Sequence, residues 1–116
     1  METDSGKRYV ERQDVRLRVV LDDQVNLNMA ATLDMTEEGA LIATGVYLEP
    51  GTHVSIFPLC DELDANLAEL RGEVVRTFED ILVEAYADDR YRMGVRFTLD
   101  DRQKQAVRRL IQLHRN

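Results

Sequence analysis

The chain contains a single cysteine, Cys60. No internal disulfide is therefore available, and nothing demands an oxidising compartment. Asp61 and Glu62 beside it disfavour a thiolate, so Cys60 reads as an inert, partly buried thiol. No run of about 18 apolar residues occurs, which excludes a helical membrane span. The opening M-E-T-D-S-G-K-R lacks the apolar core of a secretory signal. The expectation is a cytoplasmic protein without membrane insertion. Aromatic residues are few, four Tyr and three Phe, too few for the stacking platforms of a single-strand-binding barrel. Basic residues nearly vanish from the middle of the chain, where residues 22–89 hold only Arg71 and Arg76 against sixteen acids. Such a stretch repels polyphosphate backbones and argues against nucleic-acid binding.

Catalytic signals are equally sparse. His53 and His114 stand apart from any cysteine or paired carboxylate spacing, so no metal site is expected. There is no Ser/His/Asp or Cys/His set with supporting context, no P-loop and no G-x-G-x-x-G. The expectation is a protein that is not an enzyme and carries no cofactor.

What is present fits one compact domain. The 116 residues are 44% hydrophobic, enough to bury a core. The net charge of −7 is unevenly spread. Residues 1–21 carry five basic and four acidic groups, and residues 90–116 carry eight basic and two acidic groups. Basic ends of this kind are suited to one small anionic ligand.

Residues 1–6 are polar and expected to be disordered. Residues 7–14 read as a charged arm, 15–97 as a barrel or sandwich of short strands, and 98–114 as a helix. Leu17, Val19 and Leu21 alternate with Arg16 and Arg18, the mark of a half-buried strand. Asp22-Asp23-Gln24 reads as a turn. Val25, Leu27, Met29, Ala31 and Leu33 then form one apolar face, opposite Asn26, Asn28, Ala30 and Thr32, and the two segments make a hairpin.

Asp34-Met35-Thr36-Glu37-Glu38-Gly39 reads as a turn, with Gly39 able to take positive φ. Further strands are expected at 40–43, 54–57, 70–78, 81–86 and 91–97. Glu49-Pro50-Gly51-Thr52 turns the chain between the first two. Residues 60–69 read as a loop. In the last strand, Tyr91, Met93, Val95 and Phe97 face inward and Arg92, Gly94 and Arg96 outward. Thr98 with Asp101 reads as a capping box. Val107, Leu110, Ile111 and His114 follow helical spacing. These elements predict a small antiparallel barrel of about six to seven strands, closed by one C-terminal helix.

Two arginines, Arg8 and Arg12, stand four apart in the arm. Asp34, Thr36 and Gly39 follow on the turn. A guanidinium meets guanine O6 and N7 with two parallel bonds, binds phosphate bidentately and stacks on a purine. A carboxylate accepts from guanine N1–H and the N2 amino group. The pattern points to a guanine nucleotide.

Taken together these motifs resemble the PilZ domain, a bacterial receptor module for cyclic di-GMP. Arg8-Tyr9-Val10-Glu11-Arg12 matches its R-x-x-x-R motif, and Asp34 to Gly39 matches its D/N-x-S-x-x-G motif with Thr36 in place of Ser. Gly72-Glu73-Val74-Val75-Arg76 and Gly94-Val95-Arg96-Phe97 look like two of its later strands. Arg12-Gln13-Asp14-Val15-Arg16 offers a second R-x-x-x-R frame. The frame Arg8/Arg12 is preferred, because Arg16 belongs to the strand alternation.

The resemblance implies a PilZ-like split barrel and a non-enzymatic receptor that binds cyclic di-GMP through Arg8, Arg12, Asp34, Thr36 and Gly39. Lys7 is implied as a secondary contact that influences whether one ligand or an intercalated pair binds. An effector protein in motility, biofilm or exopolysaccharide control is the implied partner. The alternative is a PilZ-like adaptor that works by protein contact without nucleotide. Monomer and homodimer both remain open.

Overall fold

A computed structural model describes residues 13–60, 64–80 and 89–114. Its strands are β1 (Gln13–Asp14), β2 (Arg18–Asp22), β3 (Leu27–Thr36), β4 (Gly39–Thr44), β5 (His53–Pro58), β6 (Leu70–Glu79) and β7 (Tyr91–Phe97). A 3-10 turn at Ala65–Leu67 follows β5, and the helix α1 spans Asp101–Leu113. Six strands close a ring in the order β3-β2-β5-β6-β7-β4 and back to β3, with every pairing antiparallel. The short β1 adds to β3. A closed ring leaves no long unpaired edge, and its interior is filled by alternate side chains.

Val19 and Leu21 of β2 face inward, as do Val15 and Leu17 before it. Met93, Val95 and Phe97 of β7 do the same. The helix adds Ala106, Val107, Leu110 and Ile111 to this core. Gly51 turns the chain between β4 and β5 at φ 96°, a conformation that a Cβ would strain.

The apolar face expected of β3 points the wrong way. Leu27 and Met29 are exposed, as is Val25 in the preceding loop, and Ala30 and Thr32 are buried instead. The cause lies in the β2–β3 connection. Asp22 accepts from the Gln24 amide, and Asp23 accepts from the amides of Val25 and Asn26. These bonds fix a four-residue loop that pairs Asp22 with Leu27, and Val19, already inside, with Ala30. Connection geometry sets register, and a one-residue slip exchanges the faces. Thr32 adds a second constraint. Its buried hydroxyl donates to the Val15 carbonyl and accepts from the Leu17 amide.

Four other expectations change. Asp34, Met35 and Thr36 lie within β3, so only Glu37 and Glu38 make the turn to β4. The helix cap is Asp100 with Gln103, each side chain bonding the other's backbone amide, rather than Thr98 with Asp101. Arg92 is buried rather than outward, where its Nη1 donates to the carbonyls of Asp89 and Tyr91. Those bonds satisfy donors that burial would otherwise strand. The loop expected over 60–69 holds the 3-10 turn. The strand expected at 81–86 and the disordered segment expected at 1–6 lie outside the described residues.

The helix is held against one flank of the barrel by polar contacts. Gln103 Nε2 donates to the carbonyls of Asn66 and Glu69 at 3.3 and 3.0 Å. Arg109 meets Asp64 at 2.8 Å, and Arg108 meets Glu37 of the β3–β4 turn at 2.7 Å. His114 caps the C-terminal end, with its ring 3.0 Å from the Leu110 carbonyl.

Candidate functional site

A bulge in β3 builds the site. The pairing with β4 slips between Thr32 and Asp34, which leaves Leu33 as the extra residue. An extra residue in one strand reverses the alternation beyond it. Before the bulge the even-numbered Ala30 and Thr32 face inward; after it Met35 does. Asp34 and Thr36 are thereby turned to the outer surface. Without Leu33 in that role, the parity of β3 would carry the Asp34 carboxylate into the core.

Across the sheet the two residues head two rows. Asp34 is opposite Leu41, Leu41 opposite Gly94, and Gly94 opposite Arg76. Thr36 is opposite Gly39, Gly39 opposite Arg96, and Arg96 opposite Glu73. Residues directly opposed across antiparallel strands share one face. A surface concavity of about 190 Å³ lies along these rows, and Asp34, Thr36, Gly39, Arg76 and Arg96 all line it. Its second arginine-bearing strand, β6, has its own slip between Val74 and Arg76, which leaves Val75 half exposed.

Each contributor is held differently. Thr36 Oγ1 accepts the Glu38 amide at 3.0 Å, so its hydroxyl braces the turn. Gly39 does not take positive φ; among the described residues the glycine that does is Gly51. Gly39 is required for another reason: a Cβ there would collide with the Val95 carbonyl. Gly94 leaves room for the Arg76 side chain, whose Cγ would stand 3.3 Å from a Cβ at that position. The Arg76 guanidinium lies over the Phe78 ring at 5.6 Å, a geometry that restrains it. Arg96 pairs with Glu73 at 3.5 Å. The floor thus offers the Asp34 carboxylate on β3 and guanidinium groups on β7 and β6, with Glu38 of the turn also lining it.

Arg8, Arg12 and the secondary Lys7 lie outside the described residues. The arm's end is described: Gln13 pairs with Met35 and Asp14 with Asp34. The backbone that follows Arg12 therefore runs along the strand carrying Asp34. Arg16, the member of the second frame, is exposed and bonds Asp14 at 2.8 Å.

Arg76 and Arg96 are not among the site residues that the sequence motifs single out. Arg76 ends the G-x-V-x-R segment and Arg96 sits inside Gly94-Val95-Arg96-Phe97, but their place beside Asp34 follows only from strand order. His53 and Cys60 stand away from the concavity's lining.

No curated protein matches the chain. Among solved structures it is similar to the Bacillus subtilis inhibitor of motility, MotI/DgrA, with a TM-score of 0.64 and 12% identity. That likeness covers 97% of this chain and 56% of the other, so the chain spans little more than half of that protein. It is also similar to the PilZ domain of CeSA from a cellulose-synthesizing bacterium, with a TM-score of 0.59, 17% identity, and coverage of 90% and 98%. At these identities the likeness shows the fold. PilZ domains are in general non-catalytic cyclic di-GMP receptors or adaptors. The PilZ domain profile matches residues 7–113, from the arm through the barrel to the last residue of α1, and on that match the chain belongs to the PilZ domain family.

Proposed function

We propose that this chain is a non-enzymatic receptor for cyclic di-GMP that relays its occupancy to a protein partner. The observation that carries the reading is the outward turn of Asp34 and Thr36 onto a surface shared with Arg76 and Arg96. Asp34 accepts the N1–H and N2 donors of a guanine, and the guanidinium groups meet its O6/N7 edge or a phosphodiester. Gly39 lets the turn lie flat against β7, and Thr36 holds it in that shape.

The concavity of about 190 Å³ is smaller than the roughly 300–1,000 Å³ of a complete small-molecule site. The described surface is then a floor, and Arg8 and Arg12 of the arm, with Lys7 as a secondary contact, supply the cover. The turn's Glu37 is tied to α1 by Arg108, which links the site to the helix. The output proposed is control of motility, biofilm or exopolysaccharide; of the two structural neighbours, MotI/DgrA is an inhibitor of motility and CeSA comes from a cellulose-synthesizing bacterium.

A second reading, an adaptor acting through protein contacts alone, is favoured by the exposed apolar residues of the β2–β3 hairpin. Isothermal titration with cyclic di-GMP separates the two. Saturable binding supports the receptor, and absence of heat with a folded protein supports the adaptor.

A further inference from the structure

The same register that buries Ala30 and Thr32 leaves an apolar patch outside. Met29 is opposite Val20, and Val20 opposite Phe57, so these three form one outward row across β3, β2 and β5. Leu27 and Val25 extend it toward the hairpin loop, and Leu59 extends it past the end of β5. Leu27 is 69% exposed, Met29 53% and Leu59 48%. Burying such side chains favours association, and an exposed apolar patch marks an interaction surface.

The next row supplies charge. Leu27 is opposite Asp22, Asp22 opposite Ser55, and Ser55 opposite Arg71. A cleft of about 570 Å³ opens here, lined by Asp22, His53, Ser55, Glu69, Arg71 and Thr98 among others. Glu69 accepts from Ser55 Oγ at 2.7 Å and pairs with Arg71 at 3.4 Å. The Ser55 hydroxyl, and then Arg71, hold the Glu69 carboxyl below its ordinary value, so it stays ionised. Among the described lining residues the guanidinium is that of Arg71, already paired with Glu69, and Asp22 remains as excess negative charge.

We propose that this face of β3, β2 and β5 docks a partner protein through an apolar segment that carries a basic side chain, with the basic group entering the Asp22–Glu69 cleft. Charge favours this occupant over others. A second copy of a chain with net charge −7 is repelled, and so is an anionic lipid surface. The inference deepens the partner side of the proposed function and does not need the nucleotide. It also places both surfaces on β3, with the docking face before the Leu33 bulge and the candidate site after it.

The test is selection from a random peptide library displayed on phage, followed by fluorescence anisotropy of the enriched peptides on the full chain. The expected peptides combine apolar residues with Lys or Arg. Leu27→Ser with Met29→Ser weakens them about ten-fold or more, the scale of losing a buried hot spot. Asp22→Asn weakens the basic peptides several-fold, and Asp34→Ala leaves them unchanged while removing cyclic di-GMP binding. Circular dichroism confirms that the exposed-site variants remain folded. No enrichment, acidic consensus peptides, or binding indifferent to Leu27→Ser and Met29→Ser would overturn the proposal. So would self-association, or binding to phosphatidylglycerol vesicles, that the same double variant abolishes.

Discussion

Met29 and Met35 lie on one strand at positions of equal parity, yet Met35 is fully buried and Met29 is 53% exposed. A regular strand puts both on one face. The Leu33 bulge separates them, and it also sends Asp34 and Thr36 outward. Deleting Leu33 removes the bulge but leaves Thr32 opposite Ile42 and Asp34 opposite Leu41, so Asp34 stays outward and Met35 inward. The expected result is a folded variant that still binds cyclic di-GMP, read by titration calorimetry and thermal melting. A folded deletion variant that no longer binds would show that the bulge does more than set which side chains face outward.

The site floor predicts graded losses. Asp34→Ala and Arg12→Ala each abolish most binding. Arg76→Ala weakens it about ten-fold with stability unchanged, the scale of one charge-assisted contact. Arg96→Ala is less informative, because it also releases Glu73. Titration calorimetry on each variant, with urea denaturation as the folding control, reads the losses.

Gly39→Ala tests the close approach of β4 to β7. A methyl at Gly39 meets the Val95 carbonyl and forces the strands apart. Overpacking of this kind costs typically ~1–3 kcal/mol. The expected outcome is a matching loss in urea stability along with weaker ligand binding.

Thr32→Val keeps the volume and removes the hydroxyl. The Val15 carbonyl and Leu17 amide lose their buried partner, at a cost of about 1–3 kcal/mol. Chemical denaturation measures it. A neutral outcome would show that these groups find other partners.

The strand alternation of Leu17, Val19 and Leu21 and that of Met93, Val95 and Phe97 was legible in the sequence, as was the Gly51 turn. In each case local hydrophobicity and connection chemistry agree. On β3 they conflict. Leu27 and Met29 outweigh Ala30 and Thr32 in hydrophobicity, but the aspartate-braced loop fixes the register. The Leu33 bulge has no local signature. Asp34, Thr36 and Gly39 were legible as a motif, although Gly39 acts by its size rather than by positive φ. Arg76 and Arg96 reach the same surface only through the β4–β7–β6 pairing, which no short window contains.

The pH dependence follows from Asp64 and Glu69. The Asn66 amide, and then Arg109, hold the Asp64 carboxyl below its ordinary value, and the Ser55 hydroxyl does the same for Glu69. Both carboxyls release their proton more readily in the folded chain than in the unfolded one. Their contribution is therefore fully present above the unfolded-state value and is lost as the pH falls through the folded-state value. Thermal melting from neutral to acid pH should show stability falling on the acid side. Asp64→Asn should flatten part of that fall.

The most direct measurement is calorimetric titration of the purified chain with cyclic di-GMP, with GTP and cyclic di-AMP as controls. The expected result is saturable binding of cyclic di-GMP alone at micromolar affinity or better, roughly −8 kcal/mol, lost in Asp34→Ala. A folded protein that gives no heat and no thermal shift with cyclic di-GMP, or that binds GTP equally well, would contradict it.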